Sequence, residues 1–113
     1  MKGITGDYAD MVAYLARLFG IKKLGQYDMN GYIIRYSGKG YLDGGSVRQT
    51  DQFPSENEAG DIASISIEVE AIKGRPFIRL DFTKDHIVCS DESRIPEAME
   101  FISVLERSMF RYF

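Results

Sequence analysis

Cysteine, histidine and tryptophan are almost absent from this sequence, whose 113 residues include one cysteine, one histidine and no tryptophan. A single cysteine excludes a disulfide within the chain. One cysteine with one histidine also cannot supply the four ligands of a Cys/His zinc site. The sequence therefore predicts no metal site, and it contains no motif that calls for a cofactor.

Long apolar runs are also missing, since the longest extend over only a few residues. A membrane-spanning helix and a signal peptide are therefore not predicted, and we expect a reducing, cytoplasmic compartment. The remaining composition is that of an ordinary globular protein, with 44% hydrophobic and 27% charged residues. A chain of this length fits one domain, here residues 1–113.

Basic residues are missing from residues 49–72, which hold six acids. Residues 1–48 carry a net charge of +3 and residues 73–113 are neutral, so the total is −3. A mildly acidic chain without a basic cluster is a poor nucleic-acid binder, because neutralising phosphates needs clustered Lys and Arg. We therefore expect no nucleic-acid partner.

Apolar residues at helical spacing predict a first helix over residues 7–19. Thr5 or Asp7 is expected to cap its start, and Gly20 to end it in a left-handed conformation. A second helix is predicted from about Pro96 to Tyr112, with its acids early and its bases late, as the helix dipole favours. Each helix presents one apolar stripe that must be buried against another element.

An Asn-Gly pair at residues 30–31 predicts a β-hairpin with a type I′ turn. Setting Met29 opposite Tyr32 places the alternating residues of both strands on consistent faces, so turn and pattern agree on one register. Residues 37–40 are then predicted to form a turn. A short strand is expected near residues 47–52.

Alternation in the second half predicts a three-stranded antiparallel meander with turns at residues 74–75 and 84–85. Across the second turn, Leu80 is expected to face Cys89. The buried face is expected to carry mainly Ile, Val, Leu and Phe, and the other face Ser, Glu, Arg and Asp. The predicted partners across the first turn are Glu70 and Arg79, Val69 and Leu80, Glu68 and Asp81, and Ile67 and Phe82.

Two amphipathic helices and a sheet with one apolar face predict an α+β fold in the form of a two-layer sandwich. We expect an antiparallel sheet of five to six strands, with the N-terminal and C-terminal helices packed on one face. Tyr27, Tyr32 and Tyr36 of the first hairpin are then expected in the core rather than stacked on nucleic-acid bases.

Asp85, His86 and Cys89 are the only cluster that resembles a catalytic set, in which a thiolate needs a base within hydrogen-bond reach. On the predicted strand, Cys89 points to the buried face and His86 to the solvent. The interpretation is a buried core cysteine and a turn histidine. The sequence therefore predicts no catalytic residue and no enzyme.

Two surfaces are predicted to bind partners, one of them acidic. The solvent-facing side of the meander carries Glu68, Glu70 and Asp81, and the preceding loop adds Glu56 and Glu58. Such a surface attracts a protein partner with a basic surface and speeds its association.

The second surface lies on the last helix, where Met99 and Phe110 project away from the main apolar arc. Two large apolar side chains aligned on one exposed strip indicate a protein contact or a homodimer seam. A membrane-surface role is not predicted, because the helix has too few basic residues.

The first functional hypothesis is a non-enzymatic protein-binding module, in its sharper form a small acidic inhibitor of a toxin or defence nuclease (an immunity or anti-defence protein). The alternatives are a dimeric adaptor similar to a secretion chaperone, and a small enzyme or ligand-binding domain that uses a dimer interface with Asp85 and His86. The predicted order of helix, sheet and helix is shared with secretion chaperones and toxin-immunity proteins, which is an analogy of architecture alone.

Overall fold

The computed structural model describes residues 3–22, 25–43, 45–55, 61–70 and 78–110. A short 3-10 helix at Glu92–Arg94 precedes the last helix. In chain order the main elements are β1 (Gly3–Thr5), α1 (Ala9–Lys22), β2 (Gln26–Met29), β3 (Tyr32–Asp43), β4 (Ser46–Thr50), β5 (Ile62–Glu70), β6 (Ile78–Thr83), β7 (His86–Cys89) and α2 (Ile95–Phe110).

The strands form one antiparallel sheet in the order β1-β7-β6-β5-β3-β2. The seventh strand, β4, pairs with the second half of β3, along the same edge that β2 occupies on its first half. Residues from α1, α2 and one face of the sheet share a single buried cluster. The predicted α+β class and two-layer sandwich are confirmed. The described sheet has seven strands rather than five to six, because the three-residue β1 is too short to show alternation.

The helix α1 extends past the end that its glycine predicted. It starts at Ala9, whose N–H donates to Oδ1 of Asp7 (3.3 Å), so the predicted Asp7 cap is confirmed. The prediction that Gly20 ends the helix is wrong, because α1 continues to Lys22. A Cβ atom at Gly20 would lie 2.6 Å from the carbonyl oxygen of Pro54. Glycine at this position therefore makes room for a crossing segment of backbone.

The first hairpin has the predicted register. Asn30 and Gly31 have φ values of 48° and 89°, and Met29 pairs with Tyr32. The side-chain amide of Asn30 also donates to Oγ of Ser108 on α2 (3.0 Å). The turn therefore both sets the strand pairing and ties the hairpin to a helix.

The predicted turn at residues 37–40 is wrong, because β3 continues through it as one 12-residue strand. Its pairing with β5 shifts between Tyr36 and Gly38, which is the signature of a β-bulge. The bulge places Lys39 on the helix-facing side, opposite the buried Ile65, where it is only 5% exposed. Residues 37–40, whose glycines are typical of a turn, therefore form part of a strand in this protein.

The pairing of β5 with β6 differs from the predicted register by two residues. Glu68 faces Arg79 rather than Asp81, and Asp81 faces Ser66. A shift of two residues leaves every side chain on its predicted face, so the hydrophobic pattern fits both registers equally. The observed register places opposite charges across the strands, which is more favourable than the predicted pair of carboxylates. The predicted turn at residues 74–75 lies outside the described residues.

The remaining expectations for the second half are confirmed. Leu80 pairs with Cys89, and the β6–β7 turn includes residues 84–85. The helix α2 buries the predicted arc, and its predicted end at Tyr112 lies outside the described residues. The described residues buried on the meander's inner face are Ile62, Ile65, Ile67, Val69, Ile78, Leu80, Phe82, Ile87 and Cys89.

Candidate functional site

The side of the sheet opposite the helices is the first candidate surface, and we call it the outer face. Both helices pack on the other side, and no described helix lies on this one. Strand alternation and register place its side chains. They include Arg35 and Leu42 of β3, Val47 and Gln49 of β4, Ser64, Ser66, Glu68 and Glu70 of β5, and Arg79 and Asp81 of β6.

Charges on the outer face are largely paired within the molecule. Nη2 of Arg35 lies 3.0 Å from Oε2 of Glu70, whose side chain is only 11% exposed. Nε of Arg79 lies 3.4 Å from Oδ1 of Asp81, and Glu68 sits across from the same arginine. The three acids expected from the sequence do share one face. Two arginines reduce its charge to a modest net negative value.

Arg35 is the member of this face whose contact with an acidic residue the sequence did not predict. It lies on the first hairpin, and its approach to Glu70 depends on the long-range pairing of β3 with β5. Alternation within one hairpin assigns a residue to a face. It does not reveal which distant strand lies beside that face.

A shallow polar depression of about 280 Å³ lies on the outer face where β3 bulges. Small residues make up half of the side chains named below, and Gly40 beside them brings β3 close to Ser64 of β5 and Val47 of β4. The depression has hydroxyl and amide groups, one guanidinium group and one carboxylate, and can receive polar groups of a partner. Its lining includes Ser37, Gly38, Gln49, Thr50, Asp51, Ser64, Ser66 and Arg79.

An exposed apolar pair borders the depression. Leu42 and Val47 face each other across the β3–β4 hairpin and are 73% and 54% exposed. The hairpin reverses next to Gly45, whose φ of 90° suits a tight turn. The Gly44-Gly45 pair is the sequence signal for this turn, and it locates Leu42 and Val47 once residues 37–40 are assigned to β3.

The Asp85, His86 and Cys89 cluster does not assemble as a nucleophile and base. Cys89 is fully buried on the helix-facing side, and its thiol donates to the carbonyl oxygen of Asp91 (3.1 Å). His86 follows Thr83 across the turn on the other side, and its Nδ1 contacts both Asp85 Oδ1 (2.8 Å) and Thr83 Oγ1 (2.9 Å). A catalytic histidine uses its two ring nitrogens for two different partners. Here both contacts share one nitrogen and stabilise the turn.

The Asp85 carboxylate gives a pH-dependent prediction. Hydrogen bonds from His86 and Thr83 lower the pKa of Asp85 below its ordinary 3.8. The folded state therefore favours the ionised form. This stabilisation is present above the ordinary pKa and is lost as the pH falls through the lowered one.

Asp85→Asn should accordingly lower the melting temperature at neutral pH, and the difference from the wild type should shrink below pH 3.8. Thermal unfolding followed by circular dichroism across this range measures the effect. Asp61→Asn, which removes an exposed charge elsewhere, is the control. An equal difference at every pH would contradict the assigned hydrogen bonds.

The other predicted binding residues separate into two groups. Met99 and Phe110 lie on α2 and are 53% and 69% exposed, away from the outer face. Glu56 and Glu58 lie outside the described residues. The predicted contact residues therefore belong to at least two distinct surfaces, one on each layer.

The tyrosines of the first hairpin pack against the core, as expected. The Tyr27 hydroxyl donates to the Leu18 carbonyl (2.9 Å), and burial raises the pKa of Tyr27. The Tyr36 hydroxyl donates to the Gln52 carbonyl (2.6 Å). Their rings therefore do not offer a stacking platform on the outer face.

Among the described residues, no group of three or more His, Cys, Asp or Glu side chains is arranged to hold a metal ion. Neither of the two α-helices among the described residues is long and apolar enough to cross a membrane.

Comparison with protein-family models, curated proteins and solved structures finds no match for this chain. Its class is therefore defined by architecture, as a two-layer α+β protein with two helices on one side of an antiparallel sheet.

Proposed function

We propose that this protein is a non-enzymatic protein-binding module whose contact surface is the outer face of the sheet. The observation that carries the proposal is the combination of the exposed Leu42 and Val47 pair with the adjoining polar depression. An apolar contact beside convergent polar groups is the usual composition of a protein interface.

The sharper form of the proposal is a small acidic inhibitor that covers a basic surface of a toxin or defence nuclease. The net charge of −3 supports it, as does the acidic character of residues 49–72. On the outer face itself, Glu68 and Asp81 supply the charge directed at such a partner. Glu70 contributes less, because it is mostly buried against Arg35.

Charge reversal on the outer face tests this proposal. Glu68→Lys combined with Asp81→Lys should weaken partner binding about tenfold or more and make the remaining binding less sensitive to salt. The partner is first captured with wild-type protein from the source organism and identified by mass spectrometry. Affinity is then measured by titration calorimetry at two salt concentrations.

A matched control reverses two exposed acids on the helical layer, Asp10→Lys and Glu97→Lys. This variant has the same net charge as the outer-face variant and should bind nearly as well as the wild type. Equal losses in both variants would indicate a general charge effect. Undiminished binding by the outer-face variant would refute the assigned surface.

A further inference from the structure

Exposed residues along one side of α2 are spaced so that a second copy of the same helix can pack against them. Met99, Ser103, Glu106 and Phe110 are all exposed and are separated by four, three and four residues. This alternation is the seam spacing of helices that pack along their length, where contacts repeat every 3.5 residues on average. The spacing reads the same in both directions, so two antiparallel copies of the helix can be placed in register.

We infer that the protein forms a two-fold symmetric homodimer in which the α2 helices of two copies pack antiparallel along this seam. The symmetric register places Met99 of one copy beside Phe110 of the other at both ends. Thioether–aromatic contacts of this kind are favourable. Ser103 and Glu106 then meet at the centre of the seam, where the Ser103 hydroxyl already donates to the Met99 carbonyl oxygen of its own helix (3.1 Å).

Charge complementarity along one flank of the seam supports a second copy as the occupant. Glu100 and Arg107 are both exposed and lie on the same side of the stripe. A two-fold axis perpendicular to the helices keeps that side common to both copies. It therefore brings Glu100 of each copy towards Arg107 of the other. A parallel two-fold arrangement would instead place the charged flanks of the two copies on opposite sides of the seam, where Glu100 and Arg107 could not pair.

The opposite flank of the seam continues into the protein's own core. Ile102 and Met109 border it and are 8% and 6% exposed. A partner helix would cover this apolar border and extend the core across the interface. With one 16-residue helix from each copy, about 24 Å long, the contact is small and the dimer is expected to be weak.

Sedimentation equilibrium up to about 1 mM protein measures the association. The wild type should show a concentration-dependent monomer–dimer equilibrium. Phe110→Glu should weaken it about 30-fold or more, because symmetry removes two buried aromatic contacts. Circular dichroism checks that the variant remains folded, as expected for a side chain that is 69% exposed.

A charge-exchange series tests the orientation of the helices. Glu100→Arg alone and Arg107→Glu alone should each weaken the dimer about tenfold, and the double exchange should restore it to within about threefold. Glu97→Arg makes the same charge change on the far side of the helix and should have little effect.

Three outcomes would overturn the inference. They are a monomer at every concentration, a dimer that Phe110→Glu leaves unchanged, and a double exchange that fails to restore association. Because the outer face of the sheet is not involved, partner capture by the Phe110→Glu variant reports separately on the proposed function.

Discussion

Phe82→Ala is expected to lower the free energy of unfolding by about 3–5 kcal/mol, a large share of the roughly 5–15 kcal/mol available to a small domain. Phe82 is fully buried at the centre of the sheet, where its backbone pairs with Ile65 on one side and Ile87 on the other. Removing its ring takes apolar surface out of the core and leaves a cavity that rigid neighbouring strands cannot fill.

Denaturant unfolding followed by circular dichroism measures this loss. Phe110→Ala is the matched control, because the same substitution is made on a side chain that is 69% exposed. It should change the free energy of unfolding by less than about 0.5 kcal/mol when measured at a concentration where the protein is monomeric. Similar losses in the two variants would contradict the assigned core.

Gly20→Ala is expected to destabilise the protein by about 2 kcal/mol, although alanine is the better helix former. The added Cβ atom would lie 2.6 Å from the carbonyl oxygen of Pro54, and a backbone atom cannot move aside as a flexible side chain can. Either the helix or the segment of residues 53–55 must shift. That segment also carries Phe53, which stacks on Tyr36 with ring centroids 5.2 Å apart.

Gly25→Ala is the control for Gly20→Ala, because a Cβ atom there meets only Cζ of Phe53, at an ordinary 3.9 Å. Its free energy of unfolding should stay close to that of the wild type. A stabilised Gly20→Ala variant would show that helix propensity outweighs the close approach. That result would place the segment of residues 53–55 further from α1.

Local patterns predicted the parts of the fold that depend on near neighbours in sequence. The hairpin at residues 30–31 was predicted in its correct register, because turn chemistry and alternation both specify it. The pairing of Leu80 with Cys89 was predicted for the same reason. The arc that α2 buries follows from its helical period alone.

The errors arose where a contact between distant segments decides the outcome. The glycines of residues 37–40 read as a turn because their function, a close approach of β4 and β5 to β3, involves residues far away in sequence. Gly20 was misinterpreted for the same reason, because the backbone that it makes room for, at Pro54, is distant in sequence. The β5–β6 register was wrong by two residues because both registers bury the same side chains, and local alternation cannot choose between them.

The candidate surface was predicted only in part. Glu68, Glu70 and Asp81 were placed on one face correctly, since a two-residue shift preserves faces. Their charge was overestimated because Arg35 reaches Glu70 through the pairing of β3 with β5. Leu42 and Val47 were missed as a pair because β3, which carries Leu42, was expected to end before residue 37, and this left Val47 of β4 without its partner.

The pairing of β1 with β7 has a consequence for the order of folding. It joins Gly3 to Val88, so the two strands meet only after a long stretch of intervening chain has been brought together. The entropy lost in closing such a loop is offset by three residue pairs and by two further hydrogen bonds, from the Gly6 and Tyr8 amides to the Asp85 and Lys84 carbonyls. We therefore expect β1 to dock last during refolding, onto a meander that is already formed. Its amides should also exchange hydrogen faster than those of β5 and β6 at the centre of the sheet.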